Sequence, residues 1–446
     1  MDIPCKFPRW SFVLLLVLLS TGCAEERPKP NVLLITVDTL RADFGEAETP
    51  HLENLASRGV VFEQGRAPTS WTLPSLASVM TGVYPTTHGC DDMRDSLDPS
   101  FSTLAERLSA AGYATAGVAS HLFLRPDFGL AQGFDDYDTE LVKNLMKSHA
   151  AISSPGVTQR ALAWLDDHDT DAAPFLLWAH YFDPHEVYHA HEAFVGQYGE
   201  AEELDRYRGE VAFTDQWIGR LLGGLQKRGL ADNTIIVIVA DHGEEFRDHG
   251  GLRHGHTLYD ELIRVPFVVV VPGEAGVYGG RIEPRRLATA ASSVDILPTL
   301  LELCDVGLLG DDVAGRSLVP ALLGEPGAVV APVPVLAEVA LREGRVADAV
   351  IFDGYKLIVH RDGKRAGTTE LYDLDDDPGE TLDLAGSEPE RVATYRRLLD
   401  ELLADATARA EAFQRGAQAE LDAADVQSLG DLGYVDGPLP TEDEED

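Results

Sequence analysis

Asn31-Val32-Leu33-Leu34-Ile35-Thr36-Val37-Asp38-Thr39 is an unbroken apolar run that stops at an acidic residue. Val32–Val37 does not alternate with polar positions, so a strand here is buried on both faces, as in a parallel sheet covered by helices. The same form recurs outward from it. Tyr113–Ala119 ends at Ser120-His121, and Pro174–Ala179 runs into His180, Asp183 and His185. Thr234–Ala240 ends at Asp241-His242, and Pro266–Val271 ends at Pro272-Gly273. Ser102–Ala111, Thr158–Asp166, Leu204–Arg228 and Ser292–Leu303 carry helical patterning between these runs. The alternation predicts an α/β chain built on a doubly wound, mostly parallel sheet.

Asp38, His180/Asp183/His185 and Asp241/His242 all follow the carboxyl ends of predicted strands. Sites in open α/β sheets form beyond those ends. A single such residue is most simply a loop carboxylate or a cap, whereas three ends bearing Asp and His together predict a metal site. A further segment, Ser70-Trp71-Thr72-Leu73-Pro74-Ser75-Leu76-Ala77-Ser78-Val79-Met80-Thr81-Gly82, has Pro74 placed to open a helix and Gly82 to close it. Thr72 then sits at the helix N-terminus, where free N–H groups and the helix dipole favour an anion or alkoxide. Taken in isolation, the same Thr is an N-cap.

After about residue 325 the pattern changes. Val333–Val339, Ala347–Phe352 and Tyr355–His360 predict strands, with Pro334 confining the first to an edge and Asp353-Gly354 joining the last two as a tight hairpin. Asp373–Pro378 is an acidic turn and Glu388–Phe413 an amphipathic helix. These predict a small C-terminal antiparallel sheet with a closing helix. The expected organisation is a catalytic domain over 31–325, a C-terminal subdomain over 326–415, and a last segment, 416–446, with an acidic tail at Thr441–Asp446.

The chain has 446 residues, 36 Lys and Arg against 75 Asp and Glu, and a net charge of −39. That balance excludes a nucleic-acid partner, which requires clustered basic residues, and points to a small ester if the substrate is anionic. At the N-terminus, Lys6 and Arg9 precede the apolar stretch Ser11–Ser20, too short to span a bilayer and suited to a signal peptide over 1–22. Leu19-Ser20-Thr21-Gly22-Cys23 has the form of a bacterial lipobox, although Ser20 stands where an aliphatic residue is usual. The expectation is an exported protein, periplasmic or at the cell surface, anchored to a membrane by lipid on Cys23 through a tether over 23–30. Cys90 and Cys304 remain, and spacing leaves their redox state open.

These segments, in order, resemble the sulfatase family of the alkaline phosphatase superfamily. The resemblance begins at Asn31–Asp43 and continues through Thr49-Pro50-His51-Leu52, Ser70–Gly82 and Tyr84–Gly89. It then takes in Asp183-Pro184-His185, Asp232-Asn233-Thr234, Ala240–Glu244, His254-Gly255-His256, Tyr259-Asp260 and Arg264-Val265-Pro266. It ends with Glu370–Leu374, Asp377–Glu380 and Leu429–Val435. Departures are specific. Sulfatases oxidise a Cys or Ser to formylglycine within a Cys/Ser-x-Pro-x-Arg motif. Thr72 holds that position here and cannot form the aldehyde, and Leu76 replaces the arginine. The family's paired aspartates become Asp38-Thr39, and its later Asp-Asn becomes Asp241-His242.

The set Asp38, Thr72, Asp241 and His242 is similar to the metal site of threonine-nucleophile phosphodiesterases, phosphonate hydrolases and envelope transferases. It implies a divalent cation on these four residues, Zn²⁺ or Mn²⁺ favoured by the imidazole and Ca²⁺ an alternative. It implies Thr72 as nucleophile and His185 as a catalytic group. His254 or His256 takes the place of a lysine found in many sulfatases, and Asp183 is available for a second metal. Glu244, Glu245, His249, His189 and His191 are expected along the rim, and Arg41 either on substrate or in a salt bridge. The implied activity is cleavage of a sulfate or phosphate ester, phosphoester or phosphodiester favoured. A phosphoryl-group transferase and an inactive binding protein are the alternatives.

Overall fold

The computed structural model describes residues 28–45, 47–145, 152–169, 172–307, 312–324, 333–340, 345–432 and 434. The proposed leader, Cys23 and the acidic tail lie outside the described residues. The strands are β1 (Asn31–Val37), β2 (Val60–Arg66), β3 (Ala114–Val118), β4 (Asp136–Asp138), β5 (Phe175–Tyr181), β6 (Thr234–Ala240) and β7 (Glu245–Phe246). They continue with β8 (Leu252–Arg253), β9 (Phe267–Val270), β10 (Arg285–Ser292), β11 (Val335–Ala340), β12 (Arg345–Phe352), β13 (Tyr355–His360) and β14 (Thr369–Asp373). The helices are α1 (Pro50–Ala56), α2 (Thr72–Thr81), α3 (Pro85–His88), α4 (Leu104–Ala110), α5 (Glu140–Leu145), α6 (Ser154–Asp167) and α7 (Glu192–Tyr198). After them come α8 (Glu203–Lys227), α9 (Asp260–Ile263), α10 (Ile296–Leu303), α11 (Val319–Leu323), α12 (Pro389–Ala410) and α13 (Ala423–Asp431).

An eight-stranded sheet in the order β10-β2-β9-β6-β1-β5-β3-β4 forms the centre. β5, β1 and β6 are adjacent and parallel, and every one of their residues is buried. This is the physical meaning of their unbroken apolar runs: helices cover both faces. β9 alone runs antiparallel, against β2 and β6, so the run Pro266–Val271 does not join the parallel set. The chain leaves β6 at the carboxyl rim and stays there through residues 241–264, so it re-enters the sheet from that rim and must run backwards. Ser292 closes β10 rather than opening a helix, and the helix expected from it starts at Ile296 after a short turn.

β11–β14 form the second, antiparallel sheet, with β11 at its edge. Asp353 at φ 46° and Gly354 at φ 78° make the hairpin turn between β12 and β13. One face packs Leu336, Val350, Leu357 and Leu371 against Tyr395 and Leu399 of α12. The other face, through Ala337, Ala349 and Ile358, merges with the main core. A buried ion cluster ties the sheets together: Lys356 Nζ lies 2.7 Å from Asp260 Oδ1 and 2.7 Å from Glu380 Oε1, and Arg66 Nη2 lies 3.1 Å from Asp260 Oδ2. Cys90 and Cys304 are free and buried. Among the described residues, no helix is long and apolar enough to cross a membrane.

Candidate active site

Strand register brings the acidic residues together. Val37 pairs with Tyr181 on one side and Ala240 on the other, so Asp38 and Asp241 emerge side by side. Asp38 N donates to Tyr181 O at 2.8 Å, and Asp241 N to Val37 O at 3.3 Å. Thr39 then turns the chain away in the left-handed region, at φ 54°, a conformation uncommon for a β-branched residue. Its N–H donates to Asp241 Oδ1 at 3.2 Å, and its carbonyl accepts from Tyr207 OH at 2.6 Å.

α2 enters the same rim. All ten of its residues are buried, and Gly82 ends it in the left-handed region at φ 71°, where a side chain would be strained. Ser75 Oγ donates to Asp241 O at 2.6 Å and fixes the helix start against the loop that follows β6. Thr72 Oγ1 thereby stands at the helix N-terminus, 3.3 Å from His242 Nε2. Leu76, in the position of the missing arginine, is fully buried in the core.

The hydrogen-bond pattern fits a cation. Asp38 Oδ1, Asp38 Oδ2 and Asp241 Oδ2 are buried without hydrogen-bond partners. His242 Nδ1 lies 2.9 Å from the Gly243 carbonyl, which only accepts, so this nitrogen carries the ring proton. The lone pair on Nε2 then points at Asp38 Oδ1, 3.6 Å away, and Asp241 Oδ2, 3.7 Å away. Burial pushes both carboxyls above the usual carboxylate range, reinforced at Asp38 by the charges of Asp241 and Glu244. Burial lowers His242 to about 4, so its ring is neutral near pH 7. Acceptors facing acceptors at full burial are the donor set of a divalent ion. Asp38, Asp241 and His242 are the residues that would hold it, their ligand atoms lying within 4.8 Å of one another, with Thr72 Oγ1 alongside.

A histidine tier stands beside this centre. His254 is fixed by Glu244, whose Oε1 accepts from Nδ1 at 2.9 Å while its Oε2 accepts from Tyr188 OH at 2.8 Å. The His254 ring lies 4.4 Å from that of His242 and 4.9 Å from that of His185, centroid to centroid. His185 Nδ1 donates to Glu186 O at 2.8 Å, leaving Nε2 to face the site. Burial, reinforced by His254, lowers His185 to about 3.

Other expected residues are placed elsewhere. Asp183 is not positioned for a second metal: it accepts from Ser153 N at 2.5 Å, Ser153 Oγ at 2.6 Å and Ser154 N at 2.7 Å, and so caps α6. His256 turns outward to Glu245 Oε2 at 2.9 Å with 37% of its side chain exposed, so of the two candidates only His254 joins the cluster. His249 pairs with Glu261 and His191 with Glu210, each at 2.7 Å, while His189 N donates to Glu210 Oε1. Arg41 is held by Asp43 and Asp248 and is structural.

Three further residues complete the site, and the sequence assigns none of them a specific role. His180, the penultimate residue of β5, has Nε2 3.4 Å from Asp38 Oδ2. His121, fully buried, packs between His180 and His185. Both follow an apolar run, and that is their only signal in the sequence. Tyr434, from the far C-terminus, places its hydroxyl 3.1 Å from Thr72 Oγ1. Only its place in the Leu429–Val435 motif points to it.

Comparison with known proteins agrees with this architecture. The family model described as Sulfatase matches residues 30–306. Arylsulfatase A of Homo sapiens is 28% identical over 86% of this chain and 89% of its own length. The choline-sulfatase of Rhizobium meliloti is 24% identical over 80% of this chain and 82% of its own. Among solved structures, the phosphonate monoester hydrolase of Agrobacterium radiobacter superposes with a TM-score of 0.69 at 20% identity, covering 84% of this chain and 96% of that one. The chain therefore belongs to the sulfatase family of ester hydrolases.

Proposed function

We propose that this protein is a metal-dependent hydrolase of a small sulfate or phosphate ester, with phosphoesters and phosphodiesters favoured, and that Thr72 is its nucleophile. The observation that carries the reading is Thr72 Oγ1 at the start of α2 beside His242 Nε2, next to buried carboxylate oxygens without partners. Phosphate is favoured because threonine cannot become formylglycine and because an imidazole completes the donor set. The phosphonate monoester hydrolase neighbour is consistent with that preference.

When bound, a divalent cation on Asp38, Asp241 and His242 lowers the pKa of the Thr72 hydroxyl and offsets the charge of the ester. The residues of the chain do the rest. Thr72 Oγ gives up its proton to water and bonds to phosphorus as the bond to the leaving alcohol breaks in line. The N-terminus of α2 faces the equatorial oxygens, and the imidazoles of His185 and His254 stabilise them only when Nε2 is protonated. His254, aligned by Glu244, takes a proton from water on its free Nε2 and passes it to the leaving oxygen. Water then cleaves the Thr72 ester, releasing the inorganic anion from a monoester or the phosphomonoester from a diester, and restoring the hydroxyl.

The test is a parallel assay of nitrophenyl sulfate, phosphate monoester, phosphate diester and phosphonate ester with Zn²⁺, Mn²⁺ or Ca²⁺. Turnover of a phosphoester that depends on Zn²⁺ or Mn²⁺ is expected. Sulfate turnover alone removes the phosphate preference, and no turnover of any ester with any metal sinks the assignment. The leader motif adds a second proposal, export and lipid anchoring through Cys23. Cys23→Ala is expected to move the protein from the membrane to the soluble fraction, and a wild type that never sediments with membranes overturns it.

A further inference from the structure

The chain's own C-terminus seals this site. After α12, Phe413 stacks on Phe101 with ring centroids 4.1 Å apart. Ser96 Oγ donates to Ala417 O at 2.5 Å, Ala419 N donates to Arg94 O at 2.6 Å, and Arg125 Nη1 pairs with Asp425 at 2.7 Å. A reciprocal capping box between Asp422 and Asp425 starts α13. The segment then delivers Tyr434, 2% exposed, with its hydroxyl 3.1 Å from Thr72 Oγ1, 3.2 Å from His254 Nε2 and 3.3 Å from His185 Nε2.

Those distances put the phenol oxygen where a substrate's reacting atom has to be. In-line attack requires phosphorus or sulfur about 3–3.5 Å from the nucleophile. One position cannot hold both groups. With Tyr434 in place, Thr72 and His242 have no exposed surface and His185 is 1% exposed.

The phenol is also an incomplete match to its seat. His185 Nδ1 and His254 Nδ1 donate to Glu186 O and Glu244 Oε1, so both rings present Nε2 lone pairs. One phenol proton serves only one of them. The attachment is thin over its first part: Glu411, Ala412, Gln414, Arg415, Ala417 and Gln418 are exposed, Ala419 is the first buried residue after the helix, and burial resumes only at Asp425, Ser428, Leu429 and Leu432. Segments with few buried contacts open at the low end of local unfolding free energies.

We propose that residues 413–432 together with Tyr434 form a strap that must withdraw before substrate reaches Thr72, with Tyr434 occupying the seat of the transferred phosphoryl or sulfuryl group. Strap closure and anion binding at the seat are then mutually exclusive, and apparent affinity is reduced by the fraction of molecules closed. The proposal rests on the reading of this cluster as an ester site.

The experiment titrates the full-length, metal-loaded protein with inorganic phosphate and with sulfate by calorimetry, and follows amide hydrogen exchange across residues 416–432. Arg125→Ala removes the Asp425 anchor, and Gly416→Ala places a Cβ against the Ser96 carbonyl oxygen. They act on separate anchors outside the catalytic cluster, so a folding failure of one leaves the other. The expected result is binding tightened roughly tenfold in either variant, with faster exchange in the wild-type strap when anion is added. Equal affinity in wild type and variants, or strap exchange that is unchanged or slowed by anion, overturns the strap while the ester site stands. If no form binds either anion, the ester-site reading falls and the strap proposal falls with it.

Discussion

His242 Nε2 faces Asp38 Oδ1 at 3.6 Å without a proton of its own, because the ring proton is committed to the Gly243 carbonyl on the other side. Two lone pairs aimed at each other in a fully buried space repel unless a cation or a carboxyl proton joins them.

A substitution at the neighbouring aspartate follows from this arrangement. Asp241 Oδ1 accepts from His242 N at 2.8 Å and Thr39 N at 3.2 Å, while Oδ2 has no partner. Asp241→Asn keeps the accepting oxygen and replaces only the unpartnered one with an amide. The metal-free variant is expected to be more stable than the metal-free wild type by roughly 1–3 kcal/mol, the order of an unsatisfied buried polar group. It is also expected to lose the rise in Tm that Zn²⁺ or Mn²⁺ gives the wild type. Calorimetry with and without chelator reads both. A variant still stabilised by metal as strongly as wild type removes Asp241 from the ligand set.

Thr72 is the second position with a decided outcome. Thr72→Ala is expected to lower kcat by at least about 10³-fold, the scale of losing an activated nucleophile. Thr72→Ser, which keeps a hydroxyl, is expected to retain measurable turnover. The Tm of both should stay within a few degrees of wild type, because the Thr72 hydroxyl faces His242 and Tyr434 while the apolar packing of α2 rests on its other residues. Full activity of Thr72→Ala would end its role as nucleophile.

Burial decides how much of this is legible in the sequence. β1, β5 and β6 are buried along their whole length, so apolar runs mark them, and the residues that follow, Asp38 and Asp241-His242, stand out with them. β2 shows no such run because Glu63 and Gln64 interrupt it with exposed and half-buried positions. β10 shows none because Arg285–Ser292 is an edge strand whose residues are mostly half-exposed. Asp183 misleads for a different reason: a carboxylate that caps α6 and one that binds a metal look the same in sequence. The place of Tyr434 is beyond reach because it depends on where a distant segment docks, 362 residues from Thr72.

The buried cluster between the two sheets gives a stability prediction. Lys356 is fully buried and neutralises Glu380 and Asp260 together. Lys356→Met leaves Glu380 without its counter-charge and is expected to cost roughly 3–5 kcal/mol, the range for breaking a buried pair from one side. Lys356→Met with Glu380→Leu is expected to recover more than half of that loss, since Asp260 keeps Arg66. Urea unfolding of wild type, single and double variants measures both steps. A double variant no better than the single would show that the cluster contributes through packing rather than charge.

His249 gives the pH dependence. Its Nδ1 lies 2.7 Å from Glu261 Oε1 and its Nε2 lies 3.1 Å from Glu380 O, so both nitrogens face acceptors and the ring is held as the cation. Burial opposes that charge, but the hydrogen bond and field of Glu261 outweigh it and raise the group to about 9. An unfolded histidine titrates near about 6.5. The folded value is the higher one, so the stabilisation is fully present below about 6.5 and is lost as pH rises through about 9. Wild type is therefore expected to exceed His249→Gln in Tm at pH 6 by more than it does at pH 9.5. The difference should shrink steadily across that window. A gap of constant size at both pH values would mean that His249 acts only through its stacking on Tyr259, whose ring lies 3.6 Å away.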